Sequence, residues 1–213
     1  MDATIWPFAA LRIQTPKLEL RYPDDDDLVA LAHLAAQGIH DPATMPFFEP
    51  WTRAESPDLE RGVLQFGWGR RASLARDDWS LPLMVCVDGE PVGVQDLFAK
   101  QFAVRRTVES GSWLVQRAHG RGIGTEMRAA VLHLAFAGLG AEEAHSGSFV
   151  DNPASAAVSR HHGYAPNGEE ILEREGTPAR LQRWVLTRAM WTPHRRDDIT
   201  IDGLDACLPL LGS

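Results

Sequence analysis

Hydrophobic and polar positions change period several times along the chain. In "TPKLELRYP", Leu18, Leu20 and Tyr22 alternate with polar neighbours, the period of a strand with one buried face. "PDDDDLVALAHLAAQGI" then recurs at helical spacing, with its aspartates at the positive end of the helix dipole. No second acidic cluster accompanies them, so they read as a solvated helix start rather than a cation site. An irregular stretch follows, "HDPATMPFFEPWTR", whose three prolines interrupt regular structure while its large apolar side chains need cover. It is either a buried loop or the wall of a substrate pocket. Helical spacing returns in "SPDLERGVLQFGWGRRASLA", with Ser56 placed as N-cap and Pro57 as first helical residue.

The middle of the chain shifts to period two. "WSLPLMVCVDGEPVGVQDLFA" reads as strand, Asp88-Gly89 turn and strand. A third extended run, Thr107 to Val115, leads into a glycine segment and a helix from about Gly124 to Ala137. "AEEAHSGSFV" is a strand ending at Val150. "DNPASAAVSRHHGY" is a short helix capped by Asn152 or Asp151, with Pro153 in its first turn and Gly163 at its end. "ARLQRWVLTRAMW" reads as a further strand with Leu181, Trp184 and Leu186 available to the core. The tail from Thr192 to Ser213 carries Ile199 and Ile201 in alternation and an apolar end, "CLPLLG". There is no internal repeat and no low-complexity linker. The elements add up to one α+β domain around a mostly antiparallel sheet, with the glycine segment at its centre.

Composition narrows the function classes. A chain of 213 residues supports one sizeable core, and 44% hydrophobic with 23% charged residues removes disordered and fibrous classes. A net charge of -8 argues against nucleic acid as a partner while leaving room for a local basic pocket. Cys86 and Cys207 are far apart, fit no metal spacing and read as reduced thiols, and no metal is expected. Asp2 stands where a signal peptide carries a cation, and no apolar run reaches the about 18 residues that span a bilayer. The expectation is a soluble, cytoplasmic protein with no membrane partner.

The segment "VQRAHGRGIGTEMRAAVLHLAF" holds the chemistry. A P-loop needs Gly-Lys-Ser/Thr, and Gly124 is followed by Thr125 and Glu126 without a lysine. A Rossmann fingerprint needs a third glycine three places after the second; Thr125 and Met127 stand there instead. A methyl-donor site would open a parallel sheet, which the preceding hairpin disfavours. A pyrophosphate cradle remains: alternating glycines turn consecutive N–H groups toward one point, and the following helix adds positive potential. Arg117, His119 and Arg121 flank it with side-chain charge.

"RAHGRG", Arg117 to Gly122, matches the Arg/Gln-x-x-Gly-x-Gly/Ala signature and resembles the GNAT N-acetyltransferase family. The similarity extends through "TPKLELR", "ESGSWLV", "SFVDNPASAAVSRHHGY" and "LTRAMW", roughly residues 10–191, in the order of the ribosomal-protein N-terminal acetyltransferase-like branch. The loop "IHDPATMPFFEPWTR" and the tail resemble an actinobacterial subgroup that includes succinyl-transferring enzymes. The resemblance implies a GNAT fold: a mixed, mostly antiparallel sheet, splayed at its middle and flanked by helices. It implies a domain over residues 1–191 and a C-terminal extension, 192–213, packed on that domain or on a second subunit of a homodimer. The donor would be acetyl-CoA or succinyl-CoA, and the acceptor a primary amine that attacks directly: a peptide or protein N-terminus, a lysine or a small amine.

Carried over, Trp113, Leu114 and Val115 would give backbone contacts to the pantetheine arm. Arg117, His119, Gly120, Arg121, Gly122, Ile123, Gly124 and Thr125 would hold the pyrophosphate, and Asn152 and Ser155 would contact pantetheine. Glu109, sharing strand parity with Gly111 and Trp113, is the candidate base; exposure decides between that and a surface role, and His40 is a weaker alternative. Ser159, seven places after Asn152, stands where many relatives carry the tyrosine that donates to the departing thiolate. His40, Met45, Phe47, Phe48 and Trp51, with Trp68, are candidates for the acceptor pocket. Arg53, Arg70 and Arg71 are candidates for a succinate carboxylate. Tyr164 is assigned to the core, and His161 and His162 to the surface at a helix end. The alternative functions are a CoA-binding regulatory protein without turnover and, behind it, a methyl-donor enzyme.

Overall fold

The computed structural model describes residues 1–213. Its strands are β1 (Arg12–Gln14), β2 (Glu19–Arg21), β3 (Asp78–Val87), β4 (Glu90–Lys100), β5 (Thr107–Leu114), β6 (Glu143–Phe149), β7 (Ala165–Arg174), β8 (Thr177–Thr187) and β9 (Thr200–Asp202). They form one sheet in the order β7-β8-β6-β5-β4-β3-β2-β1-β9. Its helices are α1 (Asp25–Ala35), α2 (Asp58–Ala72), α3 (Phe102–Arg105), α4 (Ile123–His133), α5 (Pro153–His161) and α6 (Arg188–Trp191). No helix is long and apolar enough to cross a membrane.

All strand pairs are antiparallel except β5 with β6. That parallel pair is short: Thr107 faces Glu143, Val108 faces Ala144, Glu109 faces His145, and pairing stops. β6 continues beside β8 as far as Phe149 opposite Leu181, while β5 continues beside β4 as far as Leu114 opposite Gly93. A wedge therefore opens between β5 and β6 toward their carboxyl ends. α1 and α2 cover the sheet face that carries Trp113, which packs with Ala35, Ile39 and Leu59. α4 and α5 cover the other face, where Leu114 and Val158 lie beside Gly124.

The helix starts follow local chemistry. Asp24 caps α1 through the Asp27 N–H, and the Asp27 carboxylate accepts from the Asp24 N–H, a reciprocal capping box within the run of aspartates. Pro57, not Ser56, occupies the N-cap position of α2; the Ser56 hydroxyl donates instead to Glu60 at 2.8 Å. Asn152 caps α5, its Oδ1 accepting the Ser155 N–H at 3.2 Å, and Pro153 takes the first helical position.

Three further boundaries depart from the expectations. Residues 165–174, polar and without clean alternation, form β7, the exposed edge partner of β8. "RAMW" is a turn of helix, α6, rather than the end of a strand, and its Trp191 stacks on Phe136 at 5.0 Å. α4 runs only to His133 and loosens into a π turn over Leu134–Gly138. The C-terminal extension packs on its own domain: β9 pairs with β1, Cys207 and Leu211 are fully buried, and the Trp79 indole donates to the Leu211 carbonyl at 3.0 Å.

Candidate functional site

The wedge and the loop above it are one structure. β5 ends at Leu114, a short 3-10 turn spans Gln116–Ala118, and α4 begins at Ile123. Gly120 and Gly122 have φ of +69° and +76°, and no atom lies within 4 Å of where a Cβ would project from either. Only glycine reaches this conformation without strain, and the bare backbone stays open to a ligand. The N–H groups of Gly120, Arg121, Ile123, Gly124 and Thr125 find no acceptor within the chain. They are the free donors of a helix start and its approach, where the dipole adds to them. The chemistry fits a diphosphate.

Side chains tune this cradle. Arg121 is exposed beside it, whereas Arg117 is turned to Gln37, donating to its Oε1 at 2.6 Å. The His119 ring meets the Leu114 carbonyl at 3.0 Å and so braces the end of β5. Glu126, an acid in the first turn of α4, is gripped by Arg196 at 2.8 and 3.0 Å. Partial burial works against its ionisation, but the bonds from Arg196 and Thr15 hold its carboxyl below the usual range. The C-terminal extension thus neutralises a charge that would repel an anion at the helix start.

Among Trp113, Leu114 and Val115, the structure separates the three. The Val115 N–H donates to the Val92 carbonyl at 2.9 Å, closing the β4–β5 ladder, so it is not free for a ligand. Adjacent residues alternate sides of a strand, so Leu114 presents its main-chain groups away from β4, as its bond to His119 confirms. Trp113 sends its ring to the opposite face, 6.0 Å from Trp51.

Ser159 is fully buried on α5 with its hydroxyl unpartnered. On the same side of the sheet the structure buries a further set of polar groups that the sequence did not disclose. Arg128 on α4 is buried, donates to Ser146 on β6 at 3.2 Å, and leaves its Nε without a partner. Ser110 on β5 and Tyr164 are also buried with free hydroxyls, as the core assignment of Tyr164 anticipated only in part. These groups come from α4, α5, β5 and β6 and lie on the α4 side of the sheet where the strands part. Five polar residues spaced along separate segments leave no local pattern to read.

The loop between α1 and α2 forms the wall of the other face. Met45 is buried, Phe47 packs 5.4 Å from Trp51, and the two join Ala35, Ile39 and Leu59 in a small satellite core. Phe48 stays about half exposed against Phe149 at 5.5 Å. His40, the weaker candidate base, is held on both ring nitrogens: its Nδ1 donates to the Asp41 carbonyl at 2.9 Å and its Nε2 lies 2.7 Å from the Thr52 hydroxyl. Trp68 lies apart from this wall, its indole donating to Asp25 at the surface. Arg53 reaches across to the β7–β8 turn and binds Glu175 at 2.7 Å, and Arg71 binds Asp25 at 2.7 Å. Arg70 stacks on Phe66 at 4.8 Å.

Glu109 is partly exposed on the same face and bonded to Arg183 of β8 at 3.0 Å. Arg183 also binds Glu170 of β7. Asp96 of β4, which the sequence reading passed over, lies opposite Gly111 on this face and accepts the Ser80 hydroxyl at 2.9 Å on both oxygens. Burial raises its carboxyl to about 6 against the Ser80 bond, the Arg70 charge and the Leu97 N–H. At the far end of α5, His161 is exposed but His162 is buried, contrary to its surface assignment, and its ring bonds the Thr125 carbonyl at 2.9 Å.

Comparison with known proteins agrees with this geometry. The model of the acetyltransferase (GNAT) domain matches residues 17–165. RimL, a ribosomal L7/L12 alpha-N-protein acetyltransferase solved with coenzyme A, is similar at 20% identity, TM-score 0.66, over 81% of this chain and 95% of its own. RimJ of Mycobacterium smegmatis, solved with a CoA disulfide, is 17% identical at TM-score 0.67, over 95% of each chain. A spermidine N-acetyltransferase chimera from Vibrio cholerae SpeG and hSSAT is 16% identical at TM-score 0.66, over 82% of this chain and 98% of its own. At these identities the solved structures establish the shared fold, and the domain match, covering most of the chain, settles the family: the protein belongs to the GNAT acetyltransferases.

Proposed function

We propose that this protein is an acyl-CoA-dependent N-acyltransferase that moves an acetyl group to a primary amine by direct attack. The observation that carries the reading is the row of free N–H groups from Gly120 to Thr125 at the head of the β5–β6 wedge. The pyrophosphate binds there, with Arg121 beside it, and the pantetheine arm enters the wedge along Leu114. Asn152 and Ser155, at the start of α5, line its path. A main-chain N–H of β5 polarises the thioester carbonyl, the type of contact that stabilises the developing oxyanion most. Ser159 donates to the departing thiolate from the α5 side, and its unpartnered hydroxyl supports that role. The amine approaches from the opposite face, between Glu109 and the wall of Met45, Phe47, Phe48 and Trp51.

Acetyl is favoured over succinyl by the state of the candidate cations. Arg53 and Arg71 are already bound to Glu175 and Asp25, which leaves exposed Arg70 as the remaining candidate for a second carboxylate.

A thermal-shift panel of coenzyme A, acetyl-CoA and succinyl-CoA, followed by thiol release with peptide N-termini, lysine and spermidine, tests the reading. A donor at 100 times its dissociation constant stabilises by about 2.7 kcal/mol, a readable shift. Acetyl-CoA that binds and releases thiol with an amine supports turnover. Binding without release under every amine supports a coenzyme A-binding protein instead, and no shift with any of the three overturns the cradle.

A further inference from the structure

Two carboxylates share the acceptor face of β4 and β5, and they are held in opposite ways. Glu109 sits where β6 departs from β5, and Arg183 grips it at 3.0 Å while also binding Glu170. Its side chain is 37% exposed and committed to a cation. Asp96 lies directly opposite Gly111, so it is one pleat nearer to Trp113 and the end of the wedge strand than Glu109 is. Gly111 has no side chain to cover it; a Cβ there would meet only Phe98, at 3.9 Å. No arginine or lysine pairs with Asp96, whose two oxygens share the single Ser80 hydroxyl at 2.9 Å. Asp96 is deeply enclosed, yet the residue keeps a partial opening to solvent. An enclosed carboxylate with a partial opening to solvent, unpaired and uncapped by its cross-strand neighbour, is placed to meet a cation coming from outside.

We infer, on the reading that this chain acylates an amine, that Asp96 rather than Glu109 takes the proton of the incoming ammonium, while Glu109 and Arg183 shape the mouth of the cleft. The ammonium gives one proton to the Asp96 carboxylate and its nitrogen regains a lone pair. That nitrogen bonds to the thioester carbon; the carbon–sulfur bond breaks and its electron pair leaves on sulfur. The surplus proton of the new amide nitrogen goes to the thiolate, so coenzyme A departs as the thiol. Asp96 then returns its proton to water. Enclosure makes Asp96 a stronger base than an exposed aspartate while leaving it ionised at neutral pH, with its carboxyl at about 6. Besides burial, the groups that set its charge are Ser80 on β3, Arg70 on α2 and the Leu97 N–H on β4, and its charge in turn joins burial in raising the Tyr22 phenol beyond β2.

The test is the pH dependence of thiol release from acetyl-CoA, with peptide N-termini and spermidine as acceptors, in the wild type and in Asp96→Asn, Glu109→Gln and Ser80→Ala. The wild type is expected to show an acidic limb in kcat/KM near pH 6. Asp96→Asn should keep the acetyl-CoA thermal shift, lose about 100-fold in kcat/KM at neutral pH and lose that limb. Glu109→Gln should keep the limb, and Ser80→Ala should move it to higher pH, because the carboxylate loses its donor. An Asp96→Asn enzyme within about threefold of wild type with its limb intact would overturn the assignment, as would loss of the limb in Glu109→Gln. Should Asp96→Asn fail to fold, an unmoved limb in Ser80→Ala overturns it. A wild type that binds acetyl-CoA and never releases thiol overturns the acyltransferase reading, and this assignment with it.

Discussion

Gly93 of β4 lies so close to Trp113 of β5 that a Cβ on Gly93 would fall well inside contact distance of the Trp113 carbonyl oxygen, with Leu114 Cα and Cδ2 at 2.9 Å. This contact holds the end of β5 against β4 beyond Glu109 and His145, where pairing with β6 stops, so it fixes the β5 side of the wedge. Gly93→Ala has no room without moving the main chain of Trp113 and Leu114. The expected cost is about 1–3 kcal/mol of stability in urea unfolding, from overpacking. Acetyl-CoA should also bind more weakly, because Leu114 shifts. A variant with wild-type unfolding and wild-type donor affinity would mean that the strand ends are set elsewhere.

Ser159 separates a structural hydroxyl from a chemical one. Its Oγ is buried without a partner, so Ser159→Ala removes a polar group whose desolvation is uncompensated. The variant should therefore unfold at the same urea concentration as wild type or a higher one. A thiolate donor would nevertheless be missing, and kcat should fall about tenfold while the acetyl-CoA thermal shift is retained. Stability and rate thus move in different directions. Unchanged kcat would remove Ser159 from the reaction.

Gly122 tests the cradle. Nothing obstructs a side chain there, so its φ of +76° and the ligand's charge are the two terms at stake. Gly122→Asn isolates the first, since Asn tolerates this conformation better than most residues and brings no charge. Gly122→Asp adds a carboxylate at the proposed diphosphate site. The donor affinities of Gly122→Asp should fall for coenzyme A, acetyl-CoA and succinyl-CoA alike, by at least about tenfold more than those of Gly122→Asn. Equal affinities in the two variants would place the diphosphate away from Gly122.

Local pattern carried most of the fold and the contiguous part of the candidate site. The Asp88-Gly89 turn, the extended runs of β3 to β5 and the Asn152-Pro153 helix start are each set by neighbours in sequence, and all of them form. β7 escaped because it is an edge strand whose polar residues face solvent on both sides, which erases the period-two signal. The glycine cradle was legible because its chemistry is contiguous. Asp96, Arg128, Ser110 and Ser146 were not, since each sits in a strand or helix where its neighbours look ordinary. Only register and burial bring Asp96 opposite Gly111 and Arg128 onto Ser146. The partners of the candidate side chains have the same origin: only the fold brings Thr52 to His40 and Glu175 to Arg53.

His162 gives the protein a predictable acid sensitivity. A carbonyl can only accept, so the ring nitrogen facing Thr125 carries a proton and the buried imidazole is neutral. Burial, reinforced by Arg128, His161 and His194 and opposed by the Thr125 bond, lowers it from 6.5 to about 4. Between those values the unfolded chain binds a proton that the folded chain refuses, so stability falls as pH falls through the window and is fully present above it. The loss amounts to about 3 kcal/mol once both states are protonated. Asp96, raised to about 6, works in the opposite sense, because there the folded state holds its proton longer. His162→Gln, which keeps an N–H donor, isolates the histidine. The difference in unfolding free energy between variant and wild type should move by about 3 kcal/mol in favour of the variant from neutral pH to pH 4. A difference that stays constant would mean that His162 swings out and protonates freely. Because the Thr125 carbonyl belongs to the first turn of α4, the wild type should also lose acetyl-CoA affinity over the same pH range, more steeply than the variant.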